Sequence, residues 1–213
     1  MMNEIVLHEY WRSSASYRVR IALNLLGESY SSKSVDLLGA QHRQAEHIAR
    51  NPQGLVPTIE IDGHLFSQSL AIIEYLQETR KNAAFLTGNA VDRQRIRALS
   101  HAIAMDIHPV CNLAVVAKVM ALTDGGDAVR REWMQRFIGE GLAAFEVMLA
   151  SADTGRFCHG DEPTMADICL IPQLYNAIRW EVDIASFTRI LEIEAACSEL
   201  PAFADAHPDK VRP

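Results

Sequence analysis

The sequence predicts an α/β unit plus an all-α unit, the first of order βαβ–ββα. Three observations carry that prediction. Up to Arg80, short apolar runs alternate with amphipathic stretches. A two-residue turn of preferred type, Asp62-Gly63, joins two strand-like runs. From Val91 onward helical periodicity persists and strand signal is almost absent. The units read as residues 1–82 and 90–213, with "KNAAFLTGNA" between them.

In chain order, "IVLHEY" reads as a strand ending in a loop with an arginine and two serines. A helix follows from Ser16, because Val19, Ala22, Leu23 and Leu26 recur at i, i+3, i+4 and i+7. Gly27 stops it. "SYSSKSVDL" gives a second strand and "AQHRQAEHIARN" a polar helix, broken by Pro52 and Gly54. Thr58 to Ile61 and His64 to Ser67 form the hairpin. "SLAIIEYLQETR" is a helix with Ser69 as its expected N-cap.

In the second unit, one helix is expected from about Val91 to Leu122, bent near Pro109. After "TDGGD" comes a helix carrying Trp133, Phe137, Gly141, Ala144, Phe145 and Met148. Next, Ala166, Cys169, Leu170, Gln173, Leu174 and Ala177 share one helical face. Thr164 with Asp167 forms a capping box in which Asp replaces Glu or Gln. A helix over Arg189 to Ser198 and a last turn opened by Pro201 complete the order.

The chain is long enough for a full core, with 49% hydrophobic and 22% charged residues. Twenty Lys and Arg against 27 Asp and Glu give a net charge of −7, which argues against a nucleic-acid or anionic-membrane surface. No stretch approaches the ~20 apolar residues needed to span a bilayer. Cys111, Cys158, Cys169 and Cys197 have neither disulfide-framework nor zinc spacing, so no metal is expected. The start "MMNEIVLHEY" lacks the pattern of an export signal. Together these features predict a cytoplasmic setting.

Three loops carry candidate chemistry. Ser13 and Ser14 stand where helix amides point outward, a place that favours an anion, and either could equally be a simple N-cap. In "NPQGLVPTI", Pro57 precedes a strand and its bond can be cis, leaving Val56 to pair with an extended peptide. An ordinary connection from loop to strand is the alternative. Gln68 and Ser69 sit at another helix start suited to a carboxylate, again with capping as the alternative.

With "WRSSASYRVRIAL", "NPQGLVPTI", "IDGHLFSQSLAIIEYL", "DIHPVCNLAVV", "GDEPTMADICLIPQ" and "NAIRWEVDI", nearly the whole chain resembles the glutathione transferases. The resemblance is to their zeta class, the maleylacetoacetate and maleylpyruvate isomerases. It implies a thioredoxin-like glutathione-binding domain, an all-helical domain and a homodimer. It also implies glutathione as cofactor and a small dicarboxylate keto acid as substrate.

By position, the resemblance assigns the γ-glutamyl carboxylate of glutathione to Gln68 and Ser69. Its cysteinyl backbone falls to Val56 before Pro57, and its far end to His42 with Gln53 nearby. Its thiolate falls to Ser13, with Ser14 beside it. His108 and Asn112 match positions that reach the active site. Arg12 and Arg179 match carboxylate anchors, and two guanidiniums suit a substrate with two carboxylates. Arg18 and Arg20 fit the signature in structural roles.

Two departures are visible. Ala15 stands where the class carries cysteine, which puts dihaloacid dechlorination in doubt. Leu113 and Ala114 stand where some maleylpyruvate isomerases carry arginines, which tilts the expectation toward maleylacetoacetate. Conjugation of electrophiles or haloacids, and a non-catalytic interaction module, are the alternatives.

Overall fold

The computed structural model describes residues 4–213. Residues 1–3, where the first unit and the segment read for an export signal begin, lie outside them. The elements run β1 (Ile5–Glu9), α1 (Ser14–Leu26), β2 (Tyr30–Ser34), α2 (Ala45–Arg50), β3 (Thr58–Ile61), β4 (His64–Ser67) and α3 (Ser69–Thr79). There follow α4 (Ala90–His101), α5 (Leu113–Thr123), α6 (Gly126–Met148), α7 (Met165–Arg179), α8 (Thr188–Ser198) and α9 (Pro201–Asp205).

The residues group into two compact units. One comprises the chain up to Phe85 together with Leu200–Pro213, the other Leu86–Glu199. Sequence periodicity alone puts 200–213 in the helical unit, whereas in the structure this segment packs with the first. The physical reason lies on α1, where Tyr17, Arg20 and Asn24 donate hydrogen bonds to the Phe203, Ala206 and Ala202 carbonyls.

In the first unit a four-stranded sheet has the order β2-β1-β3-β4. β1 and β2 are parallel, and the other two pairings are antiparallel. All five residues of β1 are buried, as a central strand requires. The hairpin register pairs Thr58 with Ser67 and Ile61 with His64. On α1, Ser16 to Leu23 are buried without a break, and Gly27 at φ 69° closes the helix.

Two expected elements differ. The polar helix read over 40–51 is split. A 3-10 turn, Gln41–Arg43, follows Ala40 at φ 55°, and α2 starts only at Ala45. The Gln41 side chain accepts from the Asp36 amide at 2.7 Å, a local turn that competes with helix. The long bent helix is likewise two helices. α4 passes into a π-type turn over Ala102–Ile107, the chain breaks around Pro109, and α5 begins afresh. Proline lacks a donor and restricts the residue before it, so the bend becomes a break.

The core of the second unit is formed by Ile96, Leu99, Ile103, Ile138, Leu142, Phe145, Ile168 and Leu174, all essentially inaccessible. On α7 the predicted face of Ala166, Cys169, Leu170, Gln173, Leu174 and Ala177 is buried throughout.

Candidate active site

The start of α1 is built by Ser13. It is the N-cap, and its Oγ accepts from the Ser16 amide at 3.2 Å. The capping alternative is therefore realised, yet it leaves the chemistry intact. The hydroxyl uses a lone pair for the cap and keeps its proton to donate. Ser13, Ser14 and Ala15 are half-buried, so the first turn remains open to a ligand.

The second loop is fastened from below. Asn51, buried, donates through Nδ2 to the Leu55 carbonyl at 2.9 Å and accepts from the Gln53 amide at 3.1 Å. His47 Nε2 meets the same Leu55 carbonyl at 2.9 Å. Val56–Pro57 is a cis bond. Val56 itself has no backbone partner among the described residues, so its amide and carbonyl are available to an extended peptide.

At α3 the cap position belongs to Gln68, at φ 69°, and Ser69 is the first helical residue. This corrects the expectation that Ser69 caps. The Gln68 side chain does not cap either, and donates instead to Gln53 Oε1 at 2.7 Å. Gln53 and Gln68 are thus brought together. Ser69 is buried and its Oγ accepts from Arg18 Nη1 at 3.4 Å. A guanidinium beneath a helix N-terminus adds full positive charge to the helix dipole there.

His42 lies in the 3-10 turn, and its backbone carbonyl faces Gly54. A Cβ on Gly54, which has φ +62°, would come within 3.2 Å of that carbonyl. The turn and the Gln53–Val56 loop are therefore neighbours. His42 Nδ1 is buried without a hydrogen-bond partner, and burial followed by the Arg43 charge lowers its pKa. A neutral ring with one unmet polar atom is suited to a ligand's polar end.

Arg12 stands half-buried before Ser13 with its guanidinium carbon 5.2 Å from the Trp11 ring centroid. The remaining predicted residues lie in the second unit. His108 ends the π-type turn. Asn112 caps α5, its Oδ1 accepting from the Val115 amide at 2.9 Å. Arg179 is exposed in the last turn of α7, 3.4 Å from Asn176 Oδ1 and 5.9 Å from the Tyr175 ring centroid.

Sequence reasoning missed the supporting role of Asn51 and the specific contact of Arg18 with Ser69. The available signal was Arg18 itself, a charged residue inside a helix that the structure buries almost all round. Cys111, Cys158 and Cys197 offer no rival nucleophile. Burial pushes Cys111 up to about 11 and holds Cys158 and Cys197 well above the ordinary thiol range. A cavity of about 180 Å³ lined by His8, Lys33, His47 and Arg50, among others, includes none of the predicted site residues. Among the described residues no His, Cys, Asp and Glu group could hold a metal ion, and no helix is long and apolar enough to cross a membrane.

Comparison with known proteins gives the family. Residues 7–84 match the glutathione S-transferase N-terminal domain and residues 127–205 its C-terminal domain. The chain is 64% identical to the maleylacetoacetate isomerase of Rhizobium meliloti, over the full length of both. It is similar to the holo structure of a bacterial zeta-class maleyl pyruvate isomerase, with TM-score 0.94 and 38% identity over 97% of this chain and 98% of that one. It is also similar to a maleylacetoacetate isomerase from Methylobacterium extorquens AM1 with bound malonate and glutathione. That match has TM-score 0.93 and 35% identity, over 96% and 97% of the two chains. A likeness this extensive, in sequence and in fold, means that the chain belongs to the glutathione S-transferases and, within them, to the zeta class of maleylacetoacetate isomerases.

Proposed function

We propose that this chain is a glutathione-dependent cis–trans isomerase that converts maleylacetoacetate, or maleylpyruvate, to the fumaryl isomer in aromatic amino acid or aromatic acid breakdown. The observation that carries the reading is Ser13, a half-buried N-cap hydroxyl with a proton still to donate at the open start of α1. A free thiol of pKa near ~8.5 is only a few per cent ionised at neutrality. A helix N-terminus and one or two hydroxyl donors favour the anion, and a tenfold gain in the ratio of thiolate to thiol takes only about 1.4 kcal/mol.

The features that would hold the tripeptide fit it. Val56 offers an unpaired amide and carbonyl. Ser69, backed by Arg18, and Gln68, joined to Gln53, offer a carboxylate site. His42 offers an unmet ring nitrogen. When bound, glutathione supplies a thiolate that adds to the cis double bond and departs after rotation about the resulting single bond.

The chain's own residues do the rest. Ser13, with Ser14 beside it, keeps the sulfur ionised. Arg12 and Arg179 anchor the two carboxylates and stabilise the negative charge that develops on addition. The same reading gives His108 and Asn112 active-site roles. Leu113 and Ala114, in place of an arginine pair, favour maleylacetoacetate over maleylpyruvate. The relative that holds malonate with glutathione supports a dicarboxylate substrate. A homodimer and a cytoplasmic setting belong to the same reading, the latter supported by four free cysteines.

The test is direct. Purified protein with glutathione should consume maleylacetoacetate, followed by its absorbance. No change with either maleyl keto acid rejects the proposal. Arg179→Ala should collapse turnover of the dicarboxylate while conjugation of a neutral electrophile survives. Equal loss of both would remove Arg179 from carboxylate anchoring.

A further inference from the structure

The segment Leu200–Pro213 is fastened to α1 by three side chains. Tyr17 Oη donates to the Phe203 carbonyl at 3.4 Å, Arg20 Nε to the Ala206 carbonyl at 3.0 Å, and Asn24 Nδ2 to the Ala202 carbonyl at 3.0 Å. The Tyr17 ring also meets His207 edge-on at 6.1 Å between centroids. Phe203 and Ala206 are buried. Arg20 reaches further, donating through Nη2 to the Trp11 carbonyl at 3.0 Å. One buried guanidinium therefore ties this segment to the loop that precedes Ser13.

That fastening puts a second arginine on the loop. The guanidinium carbon of Arg212 lies 5.3 Å from the Trp11 ring centroid, and that of Arg12 lies 5.2 Å from the same ring. Among the described residues neither guanidinium forms an ion pair with a carboxylate. The indole face attracts and orients each cation. It does not neutralise either of them, so each keeps its charge available to an anion. Planar guanidiniums already held in place lose little freedom when they bind a carboxylate.

We propose that Arg212 is a substrate-binding residue, which with Arg12 and the Trp11 platform grips a carboxylate of the substrate and selects dicarboxylates over neutral electrophiles. The inference rests on the isomerase reading and adds a residue of Leu200–Pro213 to its site. Arg212 takes no part in bond making. Its contribution is charge and a planar pair of donors on the Ser13 side of the site.

Full-length wild type, Arg212→Ala and Arg212→Lys are compared with maleylacetoacetate and with chlorodinitrobenzene, each with saturating glutathione. Wild type that fails to turn over maleylacetoacetate overturns the isomerase reading and the Arg212 proposal with it, whereas turnover with an unchanged Arg212→Ala overturns the proposal alone. Given turnover, Arg212→Ala should raise KM for the dicarboxylate about tenfold with kcat within about twofold, the size of one lost charge-assisted contact. The preference for dicarboxylate over neutral electrophile, as a ratio of kcat/KM, should fall by the same factor. Arg212→Lys should recover part of it, and the alanine variant's KM should depend less steeply on salt. Malonate, titrated by calorimetry in the presence of glutathione, should bind Arg212→Ala correspondingly more weakly. An unchanged KM, or an equal rise for both substrates, overturns the proposal. A thermal unfolding midpoint equal to wild type identifies the change as local.

Discussion

Ser13 shows how one hydroxyl can serve both structure and chemistry. Its lone pair closes the first turn of α1 through the Ser16 amide. Its proton remains for an anion. Ser13→Ala should therefore have two separable effects. Stability should fall by about 1 kcal/mol, the usual value of a cap. The thiolate fraction of bound glutathione, read from its absorbance against pH, should fall, with a midpoint higher by about one pH unit or more. Ser13→Thr, which keeps both functions, should restore both. A midpoint unmoved in the alanine variant would remove Ser13 from the chemistry. Asp167 is the structural counterpart. Wholly buried, it accepts from the Cys158 amide at 2.8 Å, the Thr164 amide at 2.7 Å and the Thr164 hydroxyl at 2.9 Å. Burial raises its carboxyl pKa, and the amide donors oppose that rise. Asp167→Ala strands two buried amides and should cost about 2–4 kcal/mol in urea unfolding.

Elements were legible in the sequence where local chemistry decided them. The hairpin, the α7 capping box and the Gly27 stop all depend on residues within a few positions of each other, and the structure has them all. Elements failed where two local signals competed. The polar helix over 40–51 lost its first turn to the Gln41–Asp36 turn, and the helix through Pro109 broke instead of bending. The hairpin turn also carries an ion cluster that periodicity does not reveal. Asp62 accepts from Arg80 Nη1 at 2.8 Å and Nη2 at 3.1 Å, and from the Tyr75 hydroxyl at 2.7 Å. These contacts, Arg80 first, lower the Asp62 pKa. A depressed carboxylate stabilises the fold above its unfolded pKa, and that contribution is lost as the pH falls through the folded value. Asp62 is partly exposed, so water screens the pair. Asp62→Asn should therefore cost only about 0.5–1 kcal/mol at neutral pH. Its deficit against wild type should vanish in acid, below the ordinary carboxylate range. A deficit constant across pH would rule out the ion cluster as its source.

At the scale of the whole molecule, Arg20 joins distant parts of the chain. Fully buried, it pairs with Glu9 on β1, donates to the Trp11 carbonyl, and holds Ala206 in the closing segment. Arg20→Met should destabilise the protein by about 3–5 kcal/mol, because the Glu9 carboxylate stays buried without its cation. Adding Glu9→Gln should recover part of that loss. Loss without recovery would mean that packing, not charge, dominates. The class of each unit, the candidate loops and the family are all written in the linear chain. They depend on periodicity, turn chemistry and motif residues that lie close together along it. Folding in three dimensions was needed to make Ser13 a cap that keeps its proton, to set Arg18 behind Ser69, to join Gln53 to Gln68, and to return 200–213 to α1. These are contacts between residues far apart in sequence, or choices between partners equally near. Neither spacing nor composition records which partner a buried polar group finds when water is excluded.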